Sequence, residues 1–440
     1  VHSFGNLGYV LGLLIAGGML TAYGYGWLFA AAAVMLVISG ISCAGMGSGC
    51  GRQEKKNKVP LRALFRNHMS VAIYLVSFLW GVIETGTLAF ATKYYTDLGY
   101  TASYAAMMIS IAIAGQVLSY TWLYRNDTDI ILENAAAFMR YLHYISTKRD
   151  SRGLMHIGLG DWVQIGQNTP KAPLEVTDTL MCLDICKKAE TMLRAVNLLP
   201  QAEFAATLWA EFYQAARKEL ILSDKVTVLG SCQASQAMAI AYDLFTDYEK
   251  PAAFAVLLKL IHEQDDHLDT GCLGARVIFH VLSAFGQAEM AYKMITRTDY
   301  PSYGHWVAAE NCTALFEAFL TPADSPNSKN HHFFGDVSSW FLKNLAGIKV
   351  NPYARNANEV EISPEFISSL DYAEGEIGVP AGKVQVSWRR NHNAVELTLT
   401  VPEGVTGELR LKNSYYFIQN AKSKQTVMPV KSGTYTFYKA

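Results

Sequence analysis

The side chains that could do chemistry gather in four loop stretches beyond residue 126. They are Gly160-Asp161-Trp162; His267-Leu268-Asp269-Thr270-Gly271-Cys272-Leu273-Gly274; Pro301-Ser302-Tyr303-Gly304, running on to Thr313-Ala314-Leu315-Phe316-Glu317; and Asn330-His331-His332-Phe333-Phe334-Gly335, followed by Trp340. Each alone is a weak signal; their order and spacing together are specific. Metal chemistry fits poorly. His262-Glu263-Gln264-Asp265-Asp266-His267 lacks the HExxH spacing and reads as a solvated loop. Cys182 and Cys186 lie one helical turn apart without further Cys or His at matching spacing, so they read as helix packing. No metal and no cofactor is expected. One more carboxylate, Glu84, stands inside an apolar run, where an acid is by default a proton-relay or substrate candidate.

Two different kinds of sequence must position these groups. The 440 residues are 51% hydrophobic with a formal net charge of −1, averages that hide a change of chemistry at Tyr124-Arg125-Asn126. Before it, Phe4–Tyr23, Tyr25–Gly45, Ser70–Ala91 and Thr101–Trp122 have the length and apolarity of membrane spans. The loop between the second and third spans carries Arg52, Lys55, Lys56, Lys58, Arg62 and Arg66, which places it and Arg125 on the cytoplasmic side. After the change, amphipathic helical periods run through Asp129–Thr147, Leu174–Leu198, Ala202–Leu220, Ser235–Phe245, Ala252–His262, Ala275–Phe285, Ala288–Met294, Ala308–Phe319 and Val337–Leu345. From Val360 the pattern turns to alternation, as in Lys383–Trp388, Ala394–Val401 and Gly407–Leu411. Serial helical hairpins with chemically loaded loops predict an α/α toroid, and the alternating tail predicts a β-sandwich-like module. The charge balance offers no basic face for nucleic acid. The chain begins at Val1 without a signal peptide and reads as a piece of a longer frame.

Residues 1–122 resemble the middle helices of a major facilitator superfamily transporter of the lactose-permease type. The resemblance rests on Phe4-Gly5-Asn6-Leu7-Gly8-Tyr9 entering a Gly-rich helix, the basic central loop, Pro60-Leu61-Arg62-Ala63-Leu64-Phe65, and Glu84 in the third span. Four helices cannot form the two pseudo-symmetric bundles of alternating access, so transport by this chain alone is not expected. Residues 126–440 resemble the α-L-rhamnosidases, inverting glycosidases with an (α/α)6 six-hairpin barrel and a C-terminal β-domain. The four loop stretches carry that resemblance, together with Asp127-Thr128-Asp129-Ile130, Gly375-Glu376-Ile377, Val386-Ser387-Trp388 and Val401-Pro402-Glu403-Gly404.

The resemblance implies a mechanism. An inverting glycosidase uses one carboxylic acid to protonate the leaving oxygen and a second carboxylate to activate water on the opposite ring face. Glu317 falls at the general-base position of the pattern Thr-Thr-aromatic-Trp-Glu, with Ala314 and Phe316 in place of the usual Thr and Trp. Asp161 and Trp162 would serve the sugar site, through hydroxyl hydrogen bonds and an apolar ring face. His331 or His332 would add a contact. The family's acid lies in a stretch before the first barrel helices; nothing before Asp127 resembles it, and about nine helices stand where six hairpins require twelve.

The expected fold class is therefore mainly α: four transmembrane helices (1–122), a partial (α/α)6 toroid (126–350) and a β-sandwich-like domain (351–440). The expected partners are a rhamnose-containing glycoside and, through residues 4–122, a membrane. The expected location is a multi-pass membrane protein with its glycosidase-like part cytoplasmic, or cytoplasmic altogether if the join is an artefact. The alternatives are a sugar transporter fragment with a non-catalytic sugar-binding tail, and an artefactual fusion of two neighbouring genes.

Overall fold

The computed structural model describes residues 128–166, 169–319, 328–350, 358–392, 394–411, 415–418 and 424–439, all within one compact unit, Gln116–Ala440. The described helices are α1 (Asp129–Thr147), α2 (Leu174–Ala195), α3 (Leu199–Glu219), α4 (Gln233–Ala241), α5 (Lys250–His262), α6 (Cys272–Ala284), α7 (Ala288–Thr296), α8 (Tyr303–Ala308) and α9 (Asp336–Trp340), which runs into a π-helical turn, Phe341–Leu345. Consecutive helices α2/α3, α4/α5 and α6/α7 pack as hairpins, and alternate helices pack side by side, α2 on α4, α4 on α6, α6 on α9 and α1 on α3. That pattern is a double wall, with α2, α4, α6 and α9 inside. Burial follows from it. Gln233–Ile240 of α4 are all buried, whereas α3 buries only one face through Ala202, Ala205, Leu208, Phe212 and Ala216. Along α6, Val277, Ile278, Phe279, Val281 and Leu282 are buried, each worth about 1.5–3 kcal/mol of apolar transfer.

One device turns α2, α4 and α6 each into its outer partner. A residue in the left-handed region follows the helix, and the next amide closes back on a carbonyl five residues earlier. Asn197, Asp243 and Gly286 take that conformation. The closing bonds are Leu198 N–H to Leu193 O (2.9 Å), Leu244 N–H to Ala239 O (2.9 Å) and Gln287 N–H to Leu282 O (2.8 Å). The outer wall is tied in turn by Arg217 of α3, whose guanidinium donates to both oxygens of Glu249 (2.7 and 2.8 Å) before the first turn of α5.

The β-strands are β1 (Ile348–Val350), β2 (Glu359–Ile362), β3 (Tyr372–Val379), β4 (Gly382–Asn391), β5 (Ala394–Thr400), β6 (Thr406–Arg410), β7 (Tyr415–Ile418), β8 (Lys424–Gln425), β9 (Val427–Pro429) and β10 (Gly433–Lys439). They form two sheets, ordered β1-β2-β6-β9 and β3-β4-β5-β10-β7-β8. Alternating side chains of both, including Val360, Ile362, Val384, Val386, Trp388, Leu397, Leu409 and Phe437, make one shared core. Every pairing is antiparallel except β2 with β6. There Gly407 at φ +137° brings its backbone so close that a Cβ would lie 1.7 Å from Val360 O. Trp388 Nε1–H donates to Leu345 O (2.7 Å), joining the β core to the end of the helical wall.

The N-terminal part of the expected fold class is corrected here. The four spans at 4–122, and Glu84 with them, lie outside the described residues. Among the described residues no helix is long and apolar enough to cross a membrane. The two longest, α2 and α3, carry charges along their exposed faces because they pack against other helices and water. The multi-pass membrane location and the membrane partner lose their support by the same finding. What the described chain forms is an α/α double wall followed by two packed sheets.

The Arg217–Glu249 tie carries a pH signature. The Arg217 guanidinium, with the Thr246 amide and hydroxyl, holds the Glu249 carboxyl down at about 2, from an ordinary 4.5. A lowered folded-state pKa contributes stability above pH 4.5 that is lost as pH falls through 2. Glu249→Gln should therefore lower unfolding stability by about 1 kcal/mol at neutral pH, modest because water screens the pair. In urea titrations at stepped pH, the difference should vanish toward pH 2.

Candidate functional site

Each inner helix is entered from a connecting segment, and α2, α4 and α6 are left through a short turn. Residues 148–173 lead into α2, 220–232 into α4, 263–271 into α6 and 309–335 into α9. The four chemically loaded stretches fall in these entries or in the one preceding α8. Hydrogen bonds tie the entries together. Trp162 O accepts Cys272 N–H (2.9 Å), and Ile165 N–H donates to Thr270 O (3.3 Å). Buried Gln233, the first residue of α4, donates to His267 O (2.9 Å) and accepts Asp269 N–H (3.0 Å).

Asp161 is fully buried, and both its oxygens turn to the N-terminus of α6. Oδ2 accepts Gly271 N–H (2.6 Å); Oδ1 accepts Leu273 N–H (2.8 Å) and Gly274 N–H (2.9 Å). These are amides a helix cannot satisfy internally, at the positive end of its dipole. Burial pushes the Asp161 carboxyl up to about 6, against the pull of the three amides. The approach requires glycine at 271, where a Cβ would lie 2.1 Å from Asp161 O. The carboxylate expected to meet sugar hydroxyls is thus occupied by backbone, while the adjacent Trp162 ring remains 42% exposed.

Glu317 does not lie on a helix, as the expected period over Ala308–Phe319 would have it. The helix stops at Ala308 because Asn311 takes φ +51° and Cys312 N–H turns back to Trp306 O (3.0 Å). The chain then folds over Trp306, whose ring stacks on Phe319 (3.9 Å between centroids) and touches Phe316 (5.3 Å) and Phe334 (6.1 Å). Phe316, Phe319 and Phe334 are buried, so Glu317 is presented, half-buried, between two anchors. Its segment pairs with the one carrying the histidines, through Glu317 N–H to Ser328 O (2.9 Å) and His331 N–H to Leu315 O (2.8 Å). Ser328 N–H donates to Glu317 Oε2 (3.0 Å); Oε1 has no hydrogen bond among the described residues. His331 is half-buried and His332 exposed, with stacked rings 4.9 Å apart. Phe333 N–H donates to His331 Nδ1 (3.2 Å), which leaves Nε2 to carry the proton.

Glu317 and His331 therefore share one paired segment, and Asp161 and Trp162 share another. Tyr300 links the two regions. Its hydroxyl donates to Phe319 O (2.7 Å), and it lines a pocket with Ile165, three residues beyond Trp162. Sequence reasoning missed Tyr300, Lys171 and Gln233, which lie outside the motifs or are ordinary polar residues until the loops are folded. Trp306 and Trp340 are core, and Cys182 and Cys186 are buried within α2. His262 pairs with Asp266 (2.6 Å), and among the described residues no three His, Cys, Asp or Glu gather to hold a metal.

Comparison with known proteins gives three family matches. Residues 102–345 match the bacterial alpha-L-rhamnosidase 6 hairpin glycosidase domain, residues 353–425 the bacterial alpha-L-rhamnosidase C-terminal domain, and residues 1–128 the Major Facilitator Superfamily. Both resemblances read from the sequence are thus found, and two of the matches overlap at 102–128. An alpha-L-rhamnosidase of Alteromonas sp. (strain LOR) is 28% identical over 236 residues, 51% of this chain and 25% of that protein. One from Streptomyces avermitilis is 26% identical over 325 residues, 70% of this chain and 30% of that protein. This chain spans about a quarter to a third of these relatives. Among solved structures, the alpha-L-rhamnosidase from Dictyoglumus thermophilum superposes with a TM-score of 0.67 at 24% identity, covering 76% of this chain and 39% of that one. The Streptomyces avermitilis enzyme complexed with L-rhamnose gives 0.62 at 24% identity, covering 72% and 31%. These two likenesses establish the fold.

Asp161→Ala tests the cap. Three amides, two of them buried, lose their acceptor, so unfolding stability should fall by about 2–4 kcal/mol. Hydrogen exchange should speed up at Gly271, Leu273 and Gly274 while the amides of α3 keep their protection.

Proposed function

Because the chain belongs to the bacterial α-L-rhamnosidase six-hairpin glycosidase family, whose match over 102–345 takes in more than half of its 440 residues, we propose that it hydrolyses terminal α-L-rhamnosyl residues with inversion. The reading rests on the placement of Glu317. Ser328 fixes one carboxylate oxygen, two buried rings anchor the segment, and the second oxygen is left to take a proton from water. Trp162 offers its exposed ring face to the sugar, and His331 adds a hydrogen bond from Nε2. Asp161 acts by holding the Trp162 loop against α6. Such acid–base chemistry needs no cofactor. Inversion also requires an acid across the ring, and none of the described residues is assigned that role.

A second reading, rhamnose binding without cleavage, draws on Asp161. The carboxyl with the raised pKa has both oxygens committed to backbone amides and is not positioned to protonate a leaving group.

Incubating the full chain with an aryl α-L-rhamnoside separates the two. Hydrolysis is the expected outcome, with β-L-rhamnose as first product by NMR. Glu317→Gln should lower kcat by roughly 10²–10⁴-fold at unchanged folding. Saturable L-rhamnose binding without turnover supports the second reading, and the absence of both turnover and binding sinks both.

A further inference from the structure

The inner wall has a free face whose charges neither reading uses. Past the first turn of α6, the residues left unburied fall in one stripe, Arg276, His280 and Ala284. A stripe on α2 holds Met181, Asp184 and Lys188. Tyr242 follows the last turn of α4, which packs between α2 and α6, and its hydroxyl reaches Met181 Sδ (3.6 Å). Asp336, the first residue of α9, accepts from His280 Nε2 (2.9 Å), and Lys343 follows it by two turns. We infer that this face is a binding site for a phosphate group, held by Arg276, Lys343 and the Tyr242 hydroxyl.

Charge comes first. Lys188, Arg276 and Lys343 are all exposed on this face, against the two carboxylates of Asp184 and Asp336. Both carboxylates already have partners, Asp184 in Lys188 (2.6 Å) and Asp336 in His280. Asn344 Nδ2–H points at His280 Nδ1 (3.4 Å), so the proton of that ring stays on Nε2 and the ring adds no charge. Lys349, nearby, pairs with Glu361 (3.4 Å). Arg276 and Lys343 have neither hydrogen bond nor ion pair among the described residues.

These groups lie within one another's field. Lys343 is held below its ordinary pKa, first by the protein packed around it; Asp336 opposes this, and the charges of Arg276, Lys188 and Lys349 add to it. A lysine depressed by neighbouring cations is one that an anion relieves. Tyr242 senses Asp184, Arg276 and Asp336 together, while burial above all pushes its hydroxyl up to about 12. The hydroxyl therefore keeps its proton, and its present acceptor, a thioether sulfur, is a weak one.

The donor set selects the ligand. A planar guanidinium takes two oxygens of a tetrahedral anion, an ammonium adds a point charge, and the phenol donates to a third oxygen. A neutral ligand would leave both cations unmatched, and a metal ion would be repelled by them. The shared chemistry is the phosphate group, whether as the free ion or as an ester.

Calorimetric titration of the full chain with sodium phosphate, at fixed ionic strength in an amine buffer, tests this. One saturable site with Kd of order 1 mM or tighter is expected. Arg276→Gln and Lys343→Gln remove no contact of the folded chain, and each should weaken binding roughly tenfold, the loss of one charge-assisted hydrogen bond. Lys431→Gln, on the exposed surface of the β-domain, should leave it unchanged. Methyl phosphate, titrated in parallel, separates the sources. Affinity equal to that of the free ion admits an ester, and much weaker affinity reserves the site for the ion itself. The site is overturned if no saturable heat appears up to on the order of 10 mM phosphate. It is equally overturned if both variants bind as the unaltered chain does, or if Lys431→Gln loses as much. None of these results depends on whether the chain hydrolyses a rhamnoside.

Discussion

The carboxylate of Asp161, buried against the first amides of α6, is the interaction on which the rest of the site depends. A helix that starts inside a protein leaves amides unsatisfied, and loops that cross its end must avoid adding unpaired groups of their own. Asp161 meets both demands with one side chain: it satisfies Gly271, Leu273 and Gly274 and brings the loop behind it into register with the helix. Trp162 is then bonded through its carbonyl to Cys272, and its ring is left facing outward. Only glycine at 271 allows this approach. Burial pushes the Asp161 pKa up, against the opposing pull of the three amides.

A different physical principle holds the second half of the site. Glu317 is positioned by packing rather than by capping. Trp306, Phe316, Phe319 and Phe334 form a buried aromatic group, with Tyr303 edge-on to Phe319 and its hydroxyl bonded to Phe334 O. The segments that carry Glu317 and His331 are irregular, so their fixed geometry comes from the rings beneath them and the two backbone bonds between them. Aromatic packing of this kind adds about 0.5–1.5 kcal/mol per pair beyond area burial.

Much of this was legible in the sequence, and the limits have physical causes. Helical periods located α1 to α7; α4 is buried all round, whereas in outer helices such as α3 one face is buried and the repeat records it. Strand alternation located β4, β5 and β6 for the same reason. The loop motifs indicated segments that the structure ties to one another ahead of the inner helices. The helix expected over Ala308–Phe319 failed because apolar spacing there serves the Trp306 cluster, and the break lies in the left-handed Asn311, a conformation that Asn tolerates but does not announce. Asp161 was assigned to sugar because a loop acid beside a tryptophan gives no hint that its oxygens face amides more than a hundred residues away. The membrane reading came from apolar runs, the basic loop between the second and third of them and the transporter resemblance, all at positions outside the described residues.

The two ends of the double wall are built to different rules, and that difference explains why the polar and aromatic loop side chains gather at one of them. Where inner helices turn outward, a single left-handed residue and one closing bond make each connection, as at Asn197, Asp243 and Gly286. Such turns have no side chains to spare. Where the chain returns to the inner wall, it approaches helix N-termini, whose exposed amides and positive dipole ends demand polar partners. Those partners have to come from longer loops, because a short turn cannot reach back across the end of a helix. The loops that satisfy the helix ends thus also bring acids, amides and rings together. Some of these groups, such as Asp161 and Gln233, are consumed by the helices. Others, such as Trp162, Glu317 and His267, retain an exposed face or a side-chain atom without a hydrogen bond among the described residues.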